Sequence, residues 1–221
     1  MDPENALLSF HSRERLPAEF LRDHALAISG GLVRRMGGPG VRPYQPAALF
    51  GANAIGAPGA RFAQGKGDDL YRRSLYTYWK RQIPAANMRI LGADGRTVCR
   101  TRREDTNTPL QALVMLNDPQ FVEAARMLAE HVLREAESPA SRINLAFRLA
   151  TSRAPNAAES AILSEELSDR LAEFAADAKS ATAYLKIGAR PLPADLPAPE
   201  LAAYSAVASL ILNLDESQSK P

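Results

Sequence analysis

Two helix starts lie ten residues apart in the middle of this 221-residue chain. The first is Thr108-Pro109 followed by Gln111, which supplies a hydroxyl cap, a proline where a missing N–H costs nothing, and a side chain that can return the cap hydrogen bond. The second start is Asp118-Pro119. This spacing predicts a short helix, a corner and a long helix.

Apolar residues recur at helical spacing on both sides of the corner. The short helix carries a stripe about two turns long, formed by Leu110, Leu113, Val114 and Leu116. The long helix continues with Phe121, Val122, Ala125, Leu128, Ala129, Val132 and Leu133. The polar residues around the corner allow two interpretations. They only cap the helix ends, or Thr106, Asn107 and Asn117 line a polar site at the corner.

The rest of the chain is also predicted to be mostly helical, as one irregular helical domain over residues 1–221. Further helices are expected from Pro17 to about Met36, from Pro139 to Leu149, from Ala157 to Phe174 and from Pro199 onwards. Residues 37–69 are rich in glycine and proline, which predicts an extended loop acting as a lid or an arm. Residues 186–199 form a proline-rich linker.

The region between the long loop and the corner is less regular. Residues 71–81 fit a helix or a buried strand, and residues 88–99 are predicted to form one small β-hairpin around Asp94-Gly95. Cys99 is the only cysteine, so an intrachain disulfide is excluded. We expect it to be a small buried packing residue, although its basic neighbours would also suit a reactive thiolate.

Charge divides the chain into two halves. Residues 1–103 hold 17 Lys and Arg against 8 Asp and Glu, for a net charge of +9, whereas residues 104–221 hold 10 against 17, for −7. Residues 71–103 interleave arginines with tyrosines and a tryptophan, a composition that suits an anionic polymer. The alternative is that these arginines pair with the acidic half or with another domain.

Signatures of catalysis are missing from the sequence. The three histidines, His11, His24 and His131, are isolated, so no paired metal-ligand spacing is present and we expect no metal in this chain. There is no Gly-x-Ser-x-Gly elbow and no complete phosphate loop. Asp23 and His24 are adjacent on a predicted helix, where their side chains point about 100° apart and cannot form a dyad unaided.

Four blocks in order carry a family resemblance: GGPGVRPYQP (37–46), YRRSLYTYWKRQIP (71–84), RREDTNTPLQALVMLNDPQFVEAARMLAEHVL (102–133) and ELAAYSAVASLILNLDES (200–217). They resemble a planctomycete-specific domain of unknown function that forms the C-terminal part of large exported proteins, many with a cytochrome c type domain. The resemblance implies an exported or periplasmic location. The haem-attachment motif Cys-x-x-Cys-His is absent from the sequence. The resemblance therefore also implies that any haem belongs to an upstream domain.

Two functions follow as hypotheses. The first is a helical scaffold or docking module that contacts the upstream domains of the same polypeptide. The second is part of an enzyme site on an anionic extracellular polysaccharide, with Asp23, His24 or Glu104 available for proton transfer. The candidate binding residues are Arg72, Arg73, Arg102, Arg103, Thr106 and Asn107.

No motif that reads nucleic acid is present, no run of apolar residues could span a membrane, and the N-terminus lacks a secretory signal.

Overall fold

A computed structural model of the chain describes residues 6–7, 14–45, 63–79, 84–95, 98–99, 101, 103 and 106–220. Over these residues the protein is mainly α-helical, as predicted. The helices are α1 Ala18–Ile28, α2 Ala86–Ile90, α3 Pro109–Asn117, α4 Pro119–Glu135, α5 Pro139–Thr151, α6 Ala157–Ala176, α7 Ala178–Leu185, α8 Ala198–Leu212 and α9 Asp215–Gln218. Two short 3-10 helices cover Gly67–Leu70 and Ser74–Tyr76.

The centre of the fold is helix α4, which is buried on every side from Gln120 to Glu130. It packs chiefly on α8, and α8 packs in turn on α6 and α7. Helices α1, α3 and α5 cover the remaining sides of α4. The apolar positions predicted for α4 are all buried, and all but Val122 belong to the main core cluster together with the buried apolar side chains of α8. A helix that is surrounded by others buries residues around its whole circumference.

The corner between α3 and α4 forms as predicted. The Thr108 hydroxyl accepts from the Gln111 amide at 3.4 Å, and the Gln111 side chain accepts from the Thr108 amide at 3.1 Å, which completes a capping box. The Asp118 carboxylate accepts from the Gln120 amide at 2.9 Å and caps α4. Proline follows each cap.

The apolar stripe predicted on α3 faces the core only in part, through Val114, which packs against it. Gln111 and Met115 are buried instead, whereas Leu110 and Leu113 are exposed. Gln111 turns inward because its amide donates to the carbonyl of Ile90 at 2.9 Å, and this bond fixes the rotation of the helix. On α6, Ile162 also faces solvent, beside the buried Leu163.

The prediction of a hairpin at residues 88–99 is wrong, because Ala86–Ile90 is helical. The small sheet lies elsewhere: β1 Glu14–Arg15 pairs antiparallel with β2 Ser219–Lys220. It joins the first described strand to the last and is supported by a 2.7 Å bond from Arg15 to the Gln218 side chain. In the segment predicted from Pro17 to about Met36, the pair Gly30-Gly31 allowed either a kink or an end of the helix. The structure shows an end: α1 stops at Ile28, and Gly30 takes a left-handed φ of 74°.

The two irregular regions predicted from composition are described in part. Residues 37–45 and 63–66 have no helix, and the 3-10 helix Gly67–Leu70 follows them; residues 46–62 lie outside the described part. Residues 186–197 connect α7 to α8 without regular structure. Over the described ranges, no helix combines the length and apolarity needed to cross a membrane.

Candidate functional site

Two irregular segments, residues 33–42 and 71–78, lie side by side and form one face of the molecule, which we call the two-segment surface. Val33 pairs with Arg72 and Val41 with Thr77 in isolated parallel bridges. Their backbones are joined by hydrogen bonds, such as the 2.7 Å bond from the Tyr78 amide to the Val41 carbonyl. Apart from the 3-10 helix at Ser74–Tyr76, residues 71–78 are therefore neither an α-helix nor a regular strand, but a segment that is paired near both of its ends. Residues 80–81 of the predicted helix or strand lie outside the described part.

Arg22 of α1 fixes this surface from beneath. Its guanidinium is buried and donates to the carbonyls of Leu70 at 2.6 Å and Arg72 at 2.8 Å. The same group donates to the side chains of Ser74 at 3.1 Å and Gln120 at 3.0 Å. Burial lowers the pKa of Arg22 to about 10, and the nearby Asp23 opposes this shift. Arg22 stays charged at neutral pH and joins α1, α4 and residues 70–74.

Arg72 fixes the surface from within, although it was predicted as a binding residue. Its side chain is fully buried and donates to the carbonyls of Arg35 and Pro39 at 3.1 Å each, and to that of Gly37 at 2.5 Å. The guanidinium also stacks over the Tyr76 ring at 3.8 Å. An external anion would have to displace these carbonyls, so Arg72 holds residues 35–39 in shape.

Other residues of the two-segment surface do reach solvent. Arg34 and Arg35 are exposed, Arg73 is half-buried, and the Arg35 guanidinium meets Asp69 at 3.4 Å. Apolar side chains accompany them, because Met36, Leu75 and Tyr78 are all exposed. The surface therefore presents cations and apolar groups together.

Three other predicted binding residues, Arg103, Thr106 and Asn107, precede α3 in the chain. Arg103 makes a bidentate ion pair with Glu19, at 2.7 and 3.1 Å, and its Nε donates to Asp94 at 3.3 Å. The Thr106 hydroxyl accepts from the Gln111 side chain at 3.0 Å, and Asn107 is exposed. Arg102 and Glu104 lie outside the described residues.

Asn117 does not join Thr106 and Asn107 in one polar site. It lies at the other end of α3, about 13 Å away at 1.5 Å per residue. Its side chain donates to the carbonyl of Leu113. The interpretation of a shared polar site at the corner is therefore wrong for Asn117.

Helix α1 connects the two sets of predicted residues. Glu19 holds Arg103, and Asp23, one turn later on the same face, accepts from the Ser74 amide and hydroxyl at 2.7 Å each. His24 lies on another face of α1 and is half-buried near the backbone of Ala150. Burial lowers the pKa of His24. The adjacent pair is no dyad, in agreement with the angle between helix neighbours.

In the part of the chain that the structure describes, no group of three or more His, Cys, Asp or Glu side chains could hold a metal ion. His131 is exposed on α4, and His11 lies outside the described residues. The expectation of a buried Cys99 is wrong, because the thiol is exposed. Val98 and Cys99 have no regular secondary structure.

A second polar cluster was not predicted from the sequence. Glu123, Arg126 and Glu130 project from α4 and are buried, together with Tyr44 and Tyr71. We call these five residues the α4 cluster. One signal was available: Glu123, Arg126 and Glu130 recur at three-to-four spacing on a helix whose apolar residues occupy its other sides. Charged side chains at such positions need polar partners from another part of the chain.

The fold and its polar residues define a mainly α-helical domain in which arginines join irregular segments to the helices. The chain belongs to the family described as PSD1, protein of unknown function (DUF1553), which it matches over residues 1–167. No curated protein and no solved structure matches the chain. The match ends within α6, but α4 packs chiefly on α8, so residues beyond the match complete the core.

Proposed function

We propose that this chain is a helical docking module, and that its two-segment surface binds another domain of the same exported polypeptide. The family resemblance supplies the context, a C-terminal domain that follows a cytochrome c type domain in planctomycete proteins. The partner is then an upstream domain, and any haem lies there.

The single observation that carries the proposal is the rigid support of an irregular surface. Arg22 and Arg72 are both buried, and together they bind the carbonyls of five residues: Leu70, Arg72, Arg35, Gly37 and Pro39. Loops that are held in one conformation lose little entropy when a partner binds. Such support is consistent with a surface that has to keep its shape.

The composition of the surface also favours a protein partner. Exposed apolar side chains beside arginines are typical of the centres of protein interfaces, where aromatic residues, Met and Arg are enriched. Met36, Leu75 and Tyr78 supply the apolar part, and Arg34 and Arg73 supply the cations. The partner surface is expected to carry acidic groups around an apolar centre.

The test is a calorimetric titration of this chain with the separately produced upstream domains. The variant Met36→Ser/Leu75→Ser removes two side chains that are 70% and 71% exposed, and we expect it to weaken binding at least tenfold without loss of helical content. Ile162→Ser on α6 is the matched control, since Ile162 is 65% exposed but lies off this surface. Unchanged affinity in the double variant, or a reading frame without any other domain, overturns the proposal.

The alternative function is a site for an anionic extracellular polysaccharide, as part of an enzyme. It is favoured by the exposure of Arg34 and Arg35, since the only described acid on Arg35 is Asp69, itself exposed. Arg42 lies 4.9 Å from the Tyr78 ring and adds a cation beside a stacking platform. Arg73, Arg102, Arg103, Thr106 and Asn107 remain candidates for its binding residues.

Retention on a heparin matrix separates the two functions. Under the alternative, Arg34→Ser/Arg35→Ser elutes at much lower salt than the native chain, whereas Met36→Ser/Leu75→Ser elutes with it. Under the docking function, the apolar variant loses the protein partner and the matrix retains the chain weakly. Absent or salt-insensitive retention of the native chain excludes the polysaccharide.

A further inference from the structure

The α4 cluster is covered by an irregular segment, residues 187–195, which we call the strap. The Glu123 Oε1 atom accepts from the backbone amides of Ala189 at 2.8 Å and Arg190 at 2.7 Å. The Tyr44 hydroxyl donates to Glu123 Oε2 at 2.9 Å and accepts from the Ala189 amide at 2.6 Å. Arg126 completes the contact by donating to the Arg190 carbonyl at 2.9 Å.

The strap can lie this close because of a glycine. Gly188 has a φ of 105°, and a Cβ built there would lie 2.5 Å from the Glu123 carboxyl carbon and 3.0 Å from its Cβ. Any other residue at this position would be strained in its backbone and would collide with the carboxylate. Closure of the strap therefore depends on Gly188 and Glu123 together.

Within the strap itself, the far end is held by contacts at the surface, although the next residue, Leu196, packs partly against the core. Asp195 pairs with Arg134 at 3.1 Å, but the two side chains are 61% and 45% exposed, and exposed pairs of this kind contribute about 1 kcal/mol or less. The strap has no regular secondary structure, and residues 188–192 are exposed. Its attachment thus rests mainly on the Glu123 end.

The groups beneath the strap are incompletely satisfied. Among the described residues, Arg126 Nε, Arg126 Nη1 and Glu130 Oε1 are buried without a hydrogen-bond partner. The closest approach between them, Arg126 Nε to Glu130 Oε1, is 3.8 Å. Buried polar atoms without partners cost free energy, and water that entered on opening would recover it.

We propose that the strap opens locally, without unfolding of the helices, and so controls access to the polar site formed by the α4 cluster. Opening frees the Glu123 carboxylate as an acceptor for N–H donors and the Arg126 guanidinium as a donor to a carbonyl. A peptide backbone offers this pattern of groups, as the strap itself does. Opening of the strap does not depend on docking at the two-segment surface.

Arginine modification by phenylglyoxal, mapped by mass spectrometry, tests the proposal with an internal control. Arg126 and Arg22 are 2% and 1% exposed, but only Arg126 lies under the strap. In Gly188→Ala we expect Arg126 to react at least tenfold faster than in the native chain, while Arg22 stays protected. Gly30→Ala is the matched variant, because Gly30 also has a positive φ, of 74°, but a Cβ there meets nothing within 4 Å.

Hydrogen exchange on the native chain keeps the proposal testable should Gly188→Ala fail to fold. The Ala189 and Arg190 amides are expected to exchange at least tenfold faster than the Leu128 amide of α4, through an opening that depends little on urea. Exchange of all three amides at one rate overturns the proposal. So does a gain of reactivity at Arg22 equal to that at Arg126.

Discussion

Arg22 and Arg126 are equally buried, yet their surroundings differ. Arg22 meets two backbone carbonyls, a hydroxyl and an amide oxygen, all within hydrogen-bond distance. Arg126 meets one carbonyl at 2.9 Å and Glu123 at 3.5 Å, and two of its nitrogens have no partner among the described residues. Burial alone therefore does not tell which arginine stabilises the fold.

The difference follows from the desolvation of charge. A buried guanidinium is stable where neutral acceptors surround it completely, because each N–H then keeps a partner in place of water. Carboxylates at longer range attract the charge but leave individual donors unpaired, and the carboxylates must themselves be desolvated. Arg22 therefore keeps its hydrogen-bond partners on burial, whereas Arg126 and Glu130 of the α4 cluster are incompletely satisfied among the described residues.

The strongest test of this comparison is Arg22→Met. The change leaves the carbonyls of Leu70 and Arg72 and the Gln120 side chain buried without their donor. We expect the free energy of unfolding to fall by about 4 kcal/mol, as for the removal of one partner from a buried polar network. Urea denaturation followed by circular dichroism measures it.

The matched control for Arg22→Met is Arg170→Met on α6. Arg170 also contacts acidic groups, Glu166 and Glu173, but it is 40% exposed. Its loss is expected to change the free energy of unfolding by less than about 1 kcal/mol. Equal effects of the two substitutions would contradict the anchoring role of Arg22.

Arg126→Met is expected to cost less, about 2 kcal/mol, although a buried charge is again removed. Glu123 keeps its two amide donors and the Tyr44 hydroxyl, and burial raises the pKa of Glu130, so this carboxyl can take up a proton. The same denaturation series measures the effect.

The double variant Arg126→Met/Glu130→Met sharpens the comparison further. It replaces the poorly paired charges by apolar groups of similar length, and we expect its stability to return to within about 1 kcal/mol of the native chain. A loss as large as that of Arg22→Met would show that the α4 cluster stabilises the fold after all.

The helix starts and most of the core could be predicted from local patterns in the sequence. The capping pattern at Thr108 and Asp118 depends on neighbouring residues only, and it formed as predicted. The apolar periodicity of α4 and α8 was equally informative, because burial along a long helix averages over many positions. The prediction of a mainly helical chain is confirmed on these grounds.

Long-range contacts could not be predicted in the same way. The rotation of α3 depends on one bond from Gln111 to Ile90, 21 residues away, and the burial of Arg72 depends on carbonyls that are 33 to 37 residues distant. An arginine in a basic segment looks the same in a sequence whether it faces a ligand or its own backbone. The role of the six predicted binding residues stays a prediction.

The smallest expected effect concerns Tyr71 and the pH dependence of stability. Burial, followed by the negative charge of Glu123, raises the pKa of Tyr71 from 10.0 to about 12. The unfolded state therefore releases this proton first, so the contribution of Tyr71 is fully present below pH 10 and is lost as the pH rises towards 12. Tyr71→Phe should show a flatter decline of unfolding free energy between pH 9 and 11 than the native chain, in urea titrations at each pH. Tyr78→Phe is the control outside the α4 cluster, since the Tyr78 side chain is 46% exposed. Parallel curves for the native chain and Tyr71→Phe would mean that the hydroxyl is already open to water, and that the strap does not seal the cluster.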